Sequence, residues 1–314
     1  MKRIRIASRA SKLALIQSEH VRGMLQELSR DFEVSIVKVS TKGDRDKSDF
    51  LHKSEFVGFF TSEVESVLLD GRADLAVHSL KDLPTAQSPG LIIAAIPERE
   101  TVADALVASS HVTGLGDLPP GATVGTSSLR RIAQLRYLRS DLRCVPLRGN
   151  VETRVRKVAA GQVDAAVLAC AGLNRLGLTD RISAVLPPEE FLTSPGQGAL
   201  AVQVRAQDNE LVKLVSRLDH RPTRIATRAE RGVLAAMHGG CSIPVGAYAR
   251  ITDDRLLIDA MIADVEGVNL VRRSCSGFVG DAERIANKLA EELLADGGAE
   301  ILEKIRTDRS RFNR

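Results

Sequence analysis

GRADLAV, residues 71 to 77, and GQVDAAV, residues 161 to 167, share one pattern: a glycine that closes a helix, an aspartate three residues on, and an apolar run that enters a strand. Two similar lobes with a cleft between them explain the repetition. Coincidence between two ordinary helix–glycine–strand units explains it as well, because the match is short.

Outward from these segments, period-2 or continuous apolar runs predict strands at 4–8, 32–40, 73–79 and 91–96, with more in DALVAS, ATVGTS, LRCVPLR, DAAVLA and GALAVQVR. Helical periodicity predicts helices between them, over 11–28, 60–69, 128–139, 151–160 and 209–218. Such alternation implies parallel βαβ units and an α/β fold. Past residue 218 the pattern changes. A charged helix over 221–237 leads into PVGAYARIT, RLLIDAMIAD and NLVRRSCSGF, strands at hairpin spacing, and then into one long closing helix from Asp281. This predicts a separate small α+β domain with an antiparallel sheet.

The chain has 314 residues, too many for one ordinary core and suited to two or three domains. Hydrophobic residues make up 44%, yet tryptophan is absent and aromatics are 3%, so the core must be built from Val, Leu, Ile and Ala. A net charge of +4 is a modest excess that selects no partner by itself. The basic N-terminal stretch lacks a signal-peptide core, and no run approaches the ~18 apolar residues of a membrane span. Cys144, Cys170, Cys241 and Cys275 are scattered, with no CxxC pair and no histidine at ligand spacing. No metal site and no disulfide framework is expected, and a reducing cytoplasm is the expected location.

VHSLKDLP (77–84) leaves a predicted strand at the end where open α/β sheets place ligands. Asp82 can cap a turn there. Beside Lys81 and His78 it can also stay ionised, bind a cation or move a proton. In GTSSLRR (125–131) a strand ends at Gly125, and Thr126, Ser127 and Ser128 can cap a helix whose free N–H groups face an anion. Arg130 and Arg131 fall in that helix's first turn, where cations oppose the dipole, so a solvated charged face explains them poorly and anion binding explains them better. LRGNVETR (147–154) repeats the arrangement, with Arg148 ending a strand, Asn150 as cap and Arg154 a turn later. Arg9 and Arg175 complete a set of arginines near strand ends. Their planar forks suit a polycarboxylate. Phosphate is disfavoured by the lack of a P-loop, and nucleic acid by the scarcity of aromatics. In MHGGCSIPVGA (237–247), Cys241 lies on a glycine-rich loop just past a predicted helix end.

These residues together resemble the porphobilinogen deaminases, also called hydroxymethylbilane synthases. The resemblance runs nearly end to end through R-x-S-x-L-A-L-x-Q, V-H-S-x-K-D-L-P, G-T-S-S-L-R-R, L-R-G-N-V-x-T-R, A-G-L-x-R-L-G, G-Q-G-A and G-G-C-S-I-P-V-G-A. It implies a transferase of tetrapyrrole biosynthesis that joins four porphobilinogen units head to tail with loss of ammonia, then releases hydroxymethylbilane by hydrolysis. Each pyrrole carries an acetate and a propionate, which gives the arginines their ligand. It implies a dipyrromethane cofactor held by a thioether on Cys241, with Lys81, Asp82, Ser127, Ser128, Arg130, Arg131 and Arg154 binding it. Asp82 is implied as the catalytic acid, stabilising the cation left when the amine departs. Arg9, Ser11, Gln17, Lys53, Phe60, Ser79, Thr126, Arg148, Arg154 and Arg175 are implied substrate contacts. One departure stands out: in LHKSEFVGFF (51–60) the family's second lysine is Val57 and its glycine-rich stretch holds Glu55 and Phe56, which puts carboxylate contact and lid closure there in doubt.

The implied fold is three domains: two lobes resembling periplasmic binding proteins, 1–97 with 198–216 and 98–197, and a small α+β domain over 217–314. A monomer without nucleic-acid or membrane partners is expected. Two other classes remain: a two-lobed binding protein for a polycarboxylate with no chemistry, and a thiol enzyme using Cys241 as nucleophile.

Overall fold

The computed structural model describes residues 2–29, 31–41, 61–109, 111–237 and 243–312. The strands run β1 (Lys2–Arg9), β2 (Phe32–Val39), β3 (Leu75–Ser79), β4 (Leu91–Ala95), β5 (Asp104–Ala108), β6 (Thr123–Gly125) and β7 (Arg143–Val145). They continue with β8 (Ala165–Ala169), β9 (Ala184–Leu186), β10 (Leu200–Arg205), β11 (Val245–Thr252), β12 (Arg255–Ala263) and β13 (Leu270–Phe278). The helices are α1 (Lys12–Leu28), α2 (Ser62–Leu69), α3 (Leu129–Leu138), α4 (Val151–Ala159), α5 (Cys170–Arg175), α6 (Asn209–Val215), α7 (Arg221–Ala236), α8 (Ala282–Leu293) and α9 (Ala299–Phe312).

The described residues form two compact units, one from the stretches before 48, within 56–100 and over 198–224, the other from 101–197 and from 225 onward. The first holds a five-stranded sheet of order β2-β1-β3-β10-β4, the second a five-stranded sheet of order β7-β6-β8-β5-β9. The plans are the same. In each, the first strand of a parallel trio lies between the other two, an antiparallel strand from elsewhere in the chain follows, and a last strand closes the edge. The fold class is therefore mixed α/β, two lobes of one plan plus a small α+β portion with the three-stranded antiparallel sheet β11-β12-β13.

The repeated heptapeptides land on equivalent places, before β3 and β8. Gly71 and Gly161 end α2 and α4 with φ of 69° and 68°. Asp74 and Asp164 then each bridge to the trio's first strand. The carboxylate of Asp74 accepts the Arg5 N–H at 2.8 Å and that of Asp164 accepts the Thr123 N–H at 2.7 Å. Their own N–H groups donate to Arg5 O at 2.9 Å and Thr123 O at 3.0 Å. Thus the echo is a strand-entry clamp that the fold uses twice.

Aliphatic packing fills the layers as the composition requires. In the first unit Ile4, Ile6, Leu75, Val202 and Val204 from the sheet meet Val21 and Leu25 of α1 and Leu211 and Val215 of α6. Beyond β10, α7, α8 and α9 bury Ala229, Val233, Ile285, Leu289 and Ile305 against β11 and β12. Each fully buried leucine of this kind contributes about 1.5–3 kcal/mol. The β11–β12 hairpin turns at Asp253 and Asp254, both at positive φ, the geometry of a two-residue turn matching the strand twist.

The expected long closing helix is instead two helices, interrupted where Asp296 and Gly297 leave helical geometry. The 209–218 helix likewise ends at Val215 and tightens into a 3-10 turn over Ser216–Leu218.

Gly71 and Gly161 both have open space where a Cβ would stand, so alanine there meets only the backbone penalty of the left-handed region. Gly71→Ala and Gly161→Ala should each lower stability by about 1 kcal/mol in urea titrations, with asparagine nearly neutral at either position.

Candidate active site

The candidates divide into two groups, one on each unit, and both lie at the carboxyl ends of parallel strands. In the first unit Arg9 ends β1 and Ser79 ends β3. Gln17, buried on α1, donates Nε2 to Ser79 Oγ at 3.0 Å. The Ser11 hydroxyl caps α1, accepting the Ala14 N–H at 3.4 Å. Past Ser79 the chain winds into a 3-10 turn, Leu80–Asp82. Leu80 anchors the turn: its side chain is fully buried and its N–H donates to Ala199 O at 3.0 Å. Lys81 and Asp82 are left half-buried at the strand end. Among the described residues no group donates a hydrogen bond to the Asp82 carboxylate, so turn capping does not account for it.

His78 does not serve as a cation beside Asp82, contrary to the reading of the sequence. It lies buried with Nε2 at 3.0 Å from Gln203 Oε1, while Gln203 Nε2 donates to Glu65 Oε1 at 2.8 Å and Ser88 Oγ donates to Glu65 Oε2 at 2.8 Å. The Gln203 amide gives its N–H to Glu65, so its oxygen faces the ring and His78 must be the donor at Nε2. Burial pushes the His78 pKa down to about 4, the Arg9 charge adding to this and the Gln203 bond opposing it.

The second unit carries the arginines. Thr126 follows β6, and its Oγ1 accepts the Ser128 N–H at 3.3 Å, while Ser127 Oγ accepts the Leu147 N–H at 3.2 Å. Ser128 occupies the cap position of α3, but its side chain makes no capping bond, so the expected hydroxyl capping of that helix does not occur. Arg130 and Arg131 are not a solvated face: they are 4% and 6% exposed. Both pair with Asp104, which opens β5 at 0% exposure. Its Oδ2 stands 2.9 Å from Arg130 Nη1, and its Oδ1 2.7 Å from Arg131 Nη2. Gln197 Nε2 donates to Oδ1 at 2.8 Å. Burial alone would raise the Asp104 pKa. The two arginine charges, with hydrogen bonds from Arg131 and Gln197, outweigh it and hold the carboxyl well below its usual range.

Arg148 does not end a strand, since β7 stops at Val145; it lies half-buried in the loop before Asn150. Asn150 caps α4, accepting the Thr153 N–H at 2.8 Å, and Arg154 Nε donates to Gly149 O at 2.8 Å. Arg175 ends α5. Cys241, Lys53, Phe60 and the Glu55–Phe56–Val57 departure lie outside the described residues. Asp104, Gln197, Gln203 and Glu65 were not among the sequence candidates. A lone acidic residue opening the apolar run DALVAS was the available signal for the first.

Among the described residues no group of three or more His, Cys, Asp or Glu is placed to hold a metal ion, and no helix is long and apolar enough to cross a membrane. The family model described as "porphobilinogen deaminase, dipyromethane cofactor binding domain" matches residues 4–213, and that of the porphobilinogen deaminase C-terminal domain matches 225–295. The chain belongs to the porphobilinogen deaminase family. It is 46% identical to the porphobilinogen deaminase of Nitratidesulfovibrio vulgaris strain Hildenborough over 97% of either chain. With that of Pelotomaculum thermopropionicum it shares 46% identity over 99% of this chain and 100% of the other. Among solved structures, a TRAP periplasmic solute-binding protein from Pseudomonas putida F1 is similar over 74% of this chain and 81% of its own, with a TM-score of 0.41 and 11% identity.

The family's dipyrromethane cofactor is a carboxylate-bearing group, and the second unit's residues fit one. Two guanidiniums share a single protein carboxylate, and the Nε–H groups of both Arg130 and Arg131 are buried with no hydrogen-bond partner.

The buried His78 gives this chain an acid-sensitive element. Between pH 6.5 and about 4 the unfolded histidine binds a proton that the folded one does not, so stability falls as pH falls through that window and levels off below it. The loss should reach about 3 kcal/mol, and His78→Gln should flatten that part of a stability-against-pH curve measured by urea unfolding.

Proposed function

We propose that the chain is a hydroxymethylbilane-forming transferase whose reaction is run by Asp82. The observation that carries this is the Asp82 carboxylate itself: fixed at the end of β3 by the Leu80 anchor, half-buried, and engaged by no donor among the described residues. When porphobilinogen loses its amine, the carbon–nitrogen bond breaks with the electron pair leaving on nitrogen, and the pyrrole becomes a cation. A fixed carboxylate at the pyrrole N–H stabilises that cation more than the neutral substrate, which lowers the barrier. In this reading Asp82 also passes a proton to the leaving amine and takes one from the carbon that forms the new bond. The dipyrromethane cofactor supplies the nucleophilic pyrrole carbon that starts the chain.

In the same reading Arg9, Ser11, Gln17, Ser79, Thr126, Arg148, Arg154 and Arg175, with Lys53 and Phe60, bind and orient substrate carboxylates and rings. Lys81, Ser127, Ser128, Arg130, Arg131 and Arg154 hold the cofactor, and Cys241 carries it as a thioether. Residues 1–97 with 198–216, 98–197 and 217–314 are read as three domains. The enzyme is a cytoplasmic monomer that uses no nucleic acid, in keeping with its scattered cysteines.

Ammonia release from porphobilinogen separates this reading from a binding protein of the same fold. Wild-type protein should release it, and Asp82→Asn should lower the rate at least ~100-fold while leaving thermal unfolding cooperative. Near-normal turnover in that variant removes Asp82 from the mechanism. Intact-mass spectrometry of active protein should show a dipyrrole adduct that is missing in Cys241→Ser, and a mass equal to the bare sequence refutes the attachment.

A further inference from the structure

The shared plan of the two five-stranded sheets makes one residue anomalous. The antiparallel strand of the first sheet opens with Leu200, paired opposite Ser79 at the end of β3; that of the second opens with Asp104, paired opposite Ala169 at the end of β8. The residues before them do the same work, Ala199 O accepting the Leu80 N–H and Ala103 O the Cys170 N–H, both at 3.0 Å. Position for position, a leucine 2% exposed suffices in one sheet where the other holds a carboxylate at 0%. The plan requires no charge there.

What the carboxylate meets is more cation than it can neutralise. Arg130 and Arg131 approach its two oxygens at 2.9 and 2.7 Å, which leaves the buried triad with one excess positive charge. Arg130 Nη1 also donates to Leu192 O at 2.6 Å and Arg131 Nη1 to Val167 O at 2.9 Å, so the guanidinium planes are fixed. Their Nε–H groups remain buried without partners. Arg130 and Arg131 lie in the first turn of α3, where the helix dipole adds positive potential. Buried excess charge is costly unless an anion completes it. If Asp104 were absent, two like charges would face each other unpaired and the guanidiniums would turn apart.

We propose that Asp104 is a positioning residue for the cofactor: it holds Arg130 and Arg131 as one rigid seat of single positive charge that accepts one cofactor carboxylate. The inference rests on the assignment of the cofactor to Cys241 and names what orders its carboxylate seat.

The test compares wild type, Cys241→Ser, Asp104→Asn and the double variant by intact mass and thermal unfolding. Wild type should carry the adduct and melt above Cys241→Ser. In the Asp104→Asn background the adduct-bearing fraction should fall at least threefold, or the gap in Tm between adduct-bearing and Cys241→Ser forms should shrink to less than half. A merely structural Asp104 lowers both forms equally; full adduct with an unchanged gap overturns the proposal. Should Asp104→Asn fail to fold, Asp104→Glu keeps the charge but displaces the carboxylate by one methylene. A reduced adduct or gap there supports the seat, and wild-type values for both refute it. Absence of adduct from wild type refutes the Cys241 assignment and the inference with it, an outcome distinct from full adduct with an unchanged gap.

Discussion

The hydrogen bond from Leu80 N–H to Ala199 O, matched by that from Cys170 N–H to Ala103 O, ties the exit of each third parallel strand to the entry of the inserted antiparallel one. Four of the polar residues described above lie within a few residues of these two ties. After Leu80 come Lys81 and Asp82; after Ala103 comes Asp104; just ahead of Ala199 stands Gln197, which reaches Asp104. A backbone bond inside a rigid sheet is a firmer reference than a loop, so the turn that carries Asp82 and the carboxylate of Asp104 inherit the precision of the strands.

The two units spend buried charge differently. In the first, His78, Gln203, Glu65 and Ser88 form a chain in which each polar group meets a complement, and the imidazole stays neutral. In the second, Asp104 remains ionised because two arginines outbid its desolvation, and the triad is left cationic. A satisfied network stabilises a core; an unbalanced one stores a demand for a ligand of opposite charge.

Much of this was legible in the amino-acid sequence where a pattern had length. The heptapeptide echo marked the two lobes, and the polar run after VHS placed Lys81 and Asp82 at a strand end. The three-residue strands β6, β7 and β9 are too short to carry a period, which is why their ends were overrun and β9 was missed. The partner of Arg130 and Arg131 was hidden because it lies more than twenty residues upstream, on a strand that reaches them only through the sheet order. Insertion of β10 beside β3 left no local signal, since antiparallel and parallel partners look alike in an apolar run; only the family resemblance suggested that the chain returns.

That return has a consequence for how the molecule is born. Among the described residues the edge strand β4 has β10 as its only sheet neighbour, and β10 lies more than a hundred residues later in the chain. The second sheet has all its strands by Leu186. During synthesis from the N-terminus, the five-stranded sheet that begins first is therefore finished after the other, and its trio waits on the ribosome with an unpaired edge while the second five-stranded sheet closes.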